Sequence, residues 1–330
     1  MLAALAACPA GAQTRDGFYK DKTITLIVGI TPGGGYDQYA RLLARHLPQH
    51  IAGAPTIIVR NLPGAGSLNS VLNLARIAPA DGTQIGTFNI GLLTEAVTKR
   101  DAARVKFNEF AWVGSMTRDL RVCVASKKSK IQTWDDLKSG KPAIFGAAGA
   151  DSNSANGIAA IRNLFNLTNL KAITGYPGLT ETNLAVERGE VDGTCASWIA
   201  IPESWIRNKE VNVLVRLSPN TAPEIPDSAK FIGDIADTIE KKALVDVLAS
   251  PGELARPFIM SDKVPPERVA VIRKAFAETL ADPDFLADAE RVKLPINLVD
   301  GIAAQAIVER LYALAPDVAE KARAVLDIGP

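Results

Sequence analysis

Two hydrophobic rhythms alternate along the chain. Thr23 to Ile30 (TITLIVGI) is a run of β-branched and apolar residues, which predicts a buried parallel strand. Thr31 to Gly35 (TPGGG) breaks it, and from Tyr36 to Leu47 the apolar positions Tyr39, Leu42, Leu43 and Leu47 take helical spacing. The alternation continues with a strand over Thr56 to Arg60, a glycine-proline loop at Asn61 to Ser67, and a helix over Leu68 to Ile77. A turn at Pro79 to Gly82 then leads to a strand over Gln84 to Phe88. Strand and helix in turn imply α/β architecture with a mostly parallel sheet.

A second series begins near Arg121, with a short strand at Val122 to Ala125 and a lysine-rich loop (Lys127, Lys128, Lys130). Thr133 to Leu137 reads as a helix start, with Thr133 as cap and acids in the first turn. Strands are expected at Ala143 to Gly146, Val191 to Ala196 and Val211 to Leu217, and helices at about Ala155 to Phe165 and Glu181 to Arg188. Ser218 to Asp227 is a proline-rich connector, and the tail returns to helices over Pro265 to Leu280, Pro283 to Glu290 and Ile302 to Ala315.

The length of 330 residues fits two domains. Met1 to Ala12 (MLAALAACPAGA) stands apart from this pattern and resembles the end of a secretory signal peptide, with a small-x-small site at Ala10 to Ala12. A lipoprotein-type box at Leu5 to Cys8 is the competing reading, in which Cys8 carries lipid. No later stretch has the apolar length of a membrane span. A periplasmic protein is expected. Lys plus Arg is 37 against 36 for Asp plus Glu, and aromatics are 6%, which argues against a nucleic-acid partner. Cys8, Cys123 and Cys195 cannot build a disulfide framework or a four-thiolate zinc site, although Cys123 and Cys195 can pair if the fold brings them together. His46 and His50 have a chelating interval, but Pro48 intervenes and no third ligand is near, so they read as exposed helix-end residues.

Two loops carry candidate chemistry. Pro32-Gly33-Gly34-Gly35-Tyr36-Asp37 lies between a strand and a helix, where glycines let a ligand approach the backbone and a helix N-terminus offers unpaired N–H groups. Such a place binds carboxylate or phosphate, or is simply a tight turn with Asp37 in the first helical turn. It is neither a P-loop nor a dinucleotide fingerprint. Gly146 to Ser154 (GAAGADSNS) is its counterpart in the second half, with the capping residues Ser152, Asn153 and Ser154. Together they suggest a cleft between two lobes, at the carboxyl ends of strands. Arg118 and Arg121, at the crossing, read equally as anchors for a second ligand carboxylate or as hinge ion pairs. Cys195 and Ser197 lack a base to activate them.

Five segments in order carry a specific likeness: ITLIVGITPGGGYDQYARLLA (Ile24 to Ala44), NLPGAGS (Asn61 to Ser67), APADGTQIG (Ala78 to Gly86), TGYPGLTETNLAVERGEVDG (Thr174 to Gly193) and the tail Met260 to Phe285. In these the chain resembles the Bug, or TctC-like, extracytoplasmic solute receptors of tripartite tricarboxylate transporters. The resemblance implies a two-lobed Venus-flytrap fold with a mostly parallel sheet in each lobe. It implies residues 1–13 as signal remnant, 14–120 plus 254–330 as one lobe, 121–253 as the other, and a hinge near 118–122 and 254–258.

It further implies a binding protein without catalytic residues, metal or cofactor, a monomer that hands a small organic carboxylate to membrane permease subunits. The implied ligand-binding residues are Pro32, Gly33, Gly34, Gly35, Tyr36 and Asp37 in the first loop, and Gly149, Asp151, Ser152, Asn153 and Ser154 in the second. Thr180, Asp192, Ser197 and Trp198 complete the set. This chain departs from the commoner pattern at Tyr36, at Ala150-Asp151 and across Gly193 to Trp198, so ligand identity does not carry over. A sensor feeding a signalling partner shares the same cleft, and a hydrolase or transferase using the glycine loop as an anion site would need an acid–base pair that the sequence does not display.

Overall fold

The protein is described here from a computed structural model over residues 17–98, 104–149 and 152–327. The leader-like segment with Cys8 lies outside the described residues. The first alternating series is β1 (Thr23–Val28), α1 (Gly35–His46), β2 (Thr56–Asn61), α2 (Leu68–Arg76), β3 (Gln84–Thr87) and α3 (Gly91–Thr98), followed by β4 (Phe110–Ser115). The second is β5 (Arg121–Ser126), α4 (Trp134–Lys138), β6 (Ala143–Gly146), α5 (Asn153–Leu164), β7 (Leu170–Ile173), α6 (Leu179–Arg188), β8 (Gly193–Ser197), α7 (Glu203–Arg207) and β9 (Val211–Arg216). The chain ends with α8 (Ile232–Ile235), α9 (Ile239–Glu253), β10 (Pro257–Ser261), α10 (Pro266–Ala281), α11 (Pro283–Arg291), β11 (Val299–Asp300), α12 (Gly301–Ala313) and α13 (Pro316–Val325).

The strands form two sheets, ordered β11-β4-β10-β3-β1-β2 and β7-β6-β8-β5-β9. Both are mixed rather than mostly parallel. β2, β1 and β3 pair in parallel, as do β7, β6 and β8, because helices connect them. The strands on which the chain arrives from the other sheet run the other way: β10 is antiparallel to β3 and β4, and β5 is antiparallel to β8 and β9. The chain enters and leaves each sheet at the end where the parallel strands finish, so an entering strand runs against them.

Apolar periodicity built these layers. Ile24, Leu26 and Val28 of β1 are buried with Leu42 and Leu43 of α1 and with Phe258, Ile272, Phe276 and Phe285 of the returning tail. On the second sheet, Phe145, Ile158, Ile161 and Val215 share a core, and Val122, Val124, Val186 and Trp205 share another. Thr133 caps α4 in a reciprocal capping box with Asp136, as its position before the acids predicts. Cys123 and Cys195 face each other across β5 and β8 and form a disulfide, with Cα atoms 4.0 Å apart.

α9 was expected on the second lobe from its place in the chain, yet it packs on α3, α12 and α13. His46 and His50 are not exposed ends: His46 Nε2, at the end of α1, lies 3.1 Å from Asp288 of α11, and His50 Nε2, on the turn that follows α1, lies 3.0 Å from Asp282. No helix among the described residues is long and apolar enough to cross a membrane, and none of their acidic, histidine and cysteine side chains cluster as a metal site.

Candidate functional site

Strand direction locates the site. β10 begins where β3 ends, and Arg121 at the start of β5 pairs with Ser197 at the end of β8. The crossing segments therefore lie beside the carboxyl ends of the parallel strands in both sheets. In open α/β sheets those ends hold ligands.

On the first sheet, the loop after β1 turns at Gly33, whose φ of +85° favours glycine, and Gly34 caps α1 without a side-chain hydrogen bond. The first N–H groups of α1 are thus left without a side-chain cap, and the helix dipole adds partial positive charge there. Pro32 and Gly33 are exposed on this turn. Asp37 is only 2% exposed, and its carboxylate is already engaged. Oδ2 accepts from the Gly33 N–H and from Arg41 Nε, both at 2.8 Å, and Oδ1 accepts from Asn61 Nδ2 at 2.8 Å. Burial alone would raise this carboxyl, but the hydrogen bonds from Arg41, Gly33 and Asn61 hold it below the usual carboxylate range. Asp37 therefore shapes the loop from within.

The neighbouring loops are cross-linked to it. Tyr36 Oη accepts from the Ile90 N–H at 3.1 Å, and Ser67 Oγ accepts from the Asn89 N–H at 3.1 Å. The loops after β1, β2 and β3 form one rigid rim, which is the support a binding loop needs.

On the second sheet, Ser152 caps α5 by accepting from the Ala155 N–H at 3.2 Å. Ser154 Oγ accepts from the Ala148 N–H at 3.2 Å, and the two hydroxyls lie 2.9 Å apart. One hydroxyl donates to the other, so among the described residues the pair keeps one O–H donor for a ligand. Gly149 is exposed, and its carbonyl accepts from the Ser152 N–H at 2.9 Å. Asp151 lies outside the described residues. Thr180 is exposed in the first turn of α6, next to a loop held to this one by the Gly175 N–H, which donates to the Ala148 carbonyl at 2.6 Å.

The outgoing crossing is tied to the second rim. Asp119 accepts from the Ser197 hydroxyl, and its other oxygen lies 4.0 Å from Arg121 Nε. Arg121 in turn donates to the Asn153 carbonyl. The Trp198 N–H donates to the Leu120 carbonyl at 2.7 Å, which sets this half-buried ring at the end of β8. Burial raises the Tyr36 hydroxyl, the Ile90 N–H and Arg256 pull it down, and the charge of Asp119 pushes it up again. Tyr36 thus lies within the field of a group from the crossing. Arg118 stands 3.9 Å from Glu253, so Arg118, like Arg121, has a carboxylate neighbour at the crossing.

One expected residue is not brought here. Asp192 precedes β8, and its carboxylate accepts from Ser129 Oγ at 2.7 Å and from the Ile144 N–H at 2.8 Å. That is the opposite end of the sheet from Ser152 and Ser197, so Asp192 is a structural clasp at the start of two strands. Conversely, sequence reasoning passed over Arg256, Asp119 and Asn61. Asn61 lies inside a segment already singled out, but Arg256 has no local signal and reaches the loop only through the returning chain.

No protein-family profile matches the chain, and no curated protein does. Solved structures share its fold. A TctC solute binding protein from Polaromonas, without ligand, superposes with a TM-score of 0.76 at 18% identity, over 92% of this chain and 99% of that one. MatC from Rhodopseudomonas palustris with bound malate gives 0.56 at 19% identity, over 91% and 99%. R. palustris Rpa4515 with adipate gives 0.57 at 18% identity, over 92% and 97%. The chain has the two-lobed α/β fold of periplasmic binding proteins.

Proposed function

We propose that the chain is an extracytoplasmic receptor of the Bug or TctC type. It captures a small organic carboxylate between two lobes and delivers it to the permease subunits of a tripartite tricarboxylate transporter. The observation that carries this reading is that each sheet has a rim beside the crossing segments. The uncapped N-terminus of α1 behind Gly33 to Gly35 and the paired hydroxyls of Ser152 and Ser154 both stand at carboxyl strand ends, the first beside Arg256 of the returning crossing and the second touched by Arg121 of the outgoing one. Residues 14–120 plus 254–330 form one lobe and 121–253 the other, with α9 lying against the first. The hinge is the pair of crossings near 118–122 and 254–258. Pro32 to Asp37 contribute the first rim, and Gly149, Ser152, Asn153, Ser154, Thr180, Ser197 and Trp198 the second.

Ligand contacts from both rims are complete only when the lobes close, so ligand shifts the population toward the closed state. The fold of periplasmic neighbours, the cross-strand disulfide and the leader-like N-terminus together support a periplasmic site.

A thermal-shift panel of mono-, di- and tricarboxylates, aromatic acids and amino acids tests the reading. Ligand at about 100 times its dissociation constant stabilises by roughly 2.7 kcal/mol, a readily seen shift. A shift with one carboxylate class supports the receptor. No shift, together with no small acid released from denatured protein in mass spectrometry, counts against it.

A further inference from the structure

Three arginines stand where the chain crosses between the sheets. Arg118 faces Glu253 at 3.9 Å and Arg121 faces Asp119 at 4.0 Å. Arg256, on the returning crossing, has no carboxylate within ion-pair distance among the described residues. Its Nη1 donates to the neighbouring Ala255 carbonyl at 2.7 Å. Its Nε is shielded from water and has no hydrogen-bond partner among the described residues. Shielded donors are ordinarily satisfied, so an unmet one calls for an explanation.

The guanidinium is held in place by two aromatic rings. Its Cζ lies 4.6 Å from the Tyr36 ring centroid and 5.3 Å from that of Tyr39. Both rings are pinned at their far ends, Tyr36 by the Ile90 N–H and Tyr39 by donating to the Pro295 carbonyl at 2.8 Å. The group is therefore pre-set in orientation, as bidentate recognition requires.

The edge that carries the unpartnered Nε faces a glycine. A Cβ on Gly35 would lie 3.4 Å from Nη2 and 3.9 Å from Nε of Arg256. Gly35 does not have the positive φ that demands glycine. What glycine supplies here is the absence of a side chain in front of the Nε–Nη2 edge. That edge is the pair of parallel donors that matches the two oxygens of a carboxylate. Gly35 also opens α1, so the first uncapped N–H groups of the helix border the same space.

We infer that Arg256 is the charged half of a carboxylate subsite whose other half is the first turn of α1. Position 35 is glycine so that a ligand carboxylate can reach the Nε–Nη2 fork. The inference rests on the receptor reading and sharpens it. The ligand must present an ionised carboxylate at this end, and a carboxamide of the same shape is rejected because it brings N–H donors to donors and leaves the cation unpaired.

The test is titration calorimetry of the full protein with succinate, malate and adipate, each beside its diamide. Wild type is compared with Arg256→Gln, Arg256→Lys and Gly35→Ala. Wild type is expected to bind at least one acid and to prefer it strongly over the diamide. Arg256→Gln weakens that acid by at least about tenfold and narrows the acid-to-amide preference, which a merely structural residue would not do. Arg256→Lys recovers only part, because a point charge lacks the planar fork.

Gly35→Ala is the independent arm, since alanine is the better helix former and the melting temperature stays level or rises. It nevertheless weakens the acid by at least about tenfold, and it decides the matter alone if Arg256→Gln does not fold. Wild-type affinity in either Arg256→Gln or Gly35→Ala overturns the inference and leaves the receptor reading standing. A wild-type protein that binds none of the three acids overturns the inference, and if the wider panel and the mass spectrometry are also empty, the receptor reading falls too.

Discussion

The side-chain amide of Asn61 donates at 2.8 Å to Asp37 Oδ1 and at 3.0 Å to the Ile30 carbonyl, so one residue at the end of β2 holds the glycine loop from both sides. The carboxylate between them is buried and surrounded by donors. Asp37→Asn replaces an acceptor with an amide that must present N–H to at least one of those donors. The expected cost is about 1–3 kcal/mol of stability, together with weaker carboxylate binding, because the loop loses its fixed shape. Chemical denaturation and calorimetry of the variant check both effects.

The same carboxylate gives an acid dependence. Its folded-state pKa is depressed, so its contribution to stability is present above the unfolded value near 4 and is lost as pH falls through the lower folded value. Asp81 acts in the same direction. Burial would raise it, but hydrogen bonds from the Thr83 side chain and backbone outweigh that, with help from Arg268. The melting temperature is expected to fall below about pH 4, and Asp37→Asn should show a shallower fall there. An equal slope in wild type and variant would remove Asp37 from this explanation.

Cys123 and Cys195 are separated by 72 residues, and their bond closes a loop that contains most of the second sheet. Closing a loop of that length stabilises by about 4 kcal/mol in the chain-entropy estimate. Cys123→Ala with Cys195→Ala, or treatment with reductant, should lower the melting temperature clearly. Neither residue is on a rim, so ligand affinity of the folded variant should be unchanged.

A glycine-to-alanine change within α5 should behave unlike Gly35→Ala. A Cβ on Gly157 would approach Cys195 Cβ to 2.8 Å and Leu217 Cδ1 to 2.9 Å. Overpacking of this kind costs about 1–3 kcal/mol even though alanine favours a helix. Gly157→Ala should therefore melt earlier than wild type, and a melting temperature at or above wild type would show that α5 does not sit this tightly on β8.

Local pattern made much of this fold legible. The TITLIVGI run, the Thr133 cap and the spacing of Leu42 and Leu43 each express their structure within a few residues, and the glycine-rich loops mark the turns from β1 into α1 and from β6 into α5. Features that depend on return of the chain left no local trace. Arg256 meets Tyr36 only because β10 comes back beside β3, and α9 lies on α13 by long-range packing. Asp192 was misplaced for a related reason: adjacency in sequence to Ser197 says nothing about which end of a strand a residue occupies. Asp37 had the right neighbourhood but an inward role, since only three-dimensional contacts with Arg41 and Asn61 show where its charge is used.

Capture between lobes is tested most directly by small-angle X-ray scattering, with and without the carboxylate that most raises the melting temperature. A smaller radius of gyration at saturating ligand is predicted, with Gly35→Ala remaining at the ligand-free value at the same concentration. Tight binding with an unchanged radius of gyration would contradict closure of the two rims on the ligand.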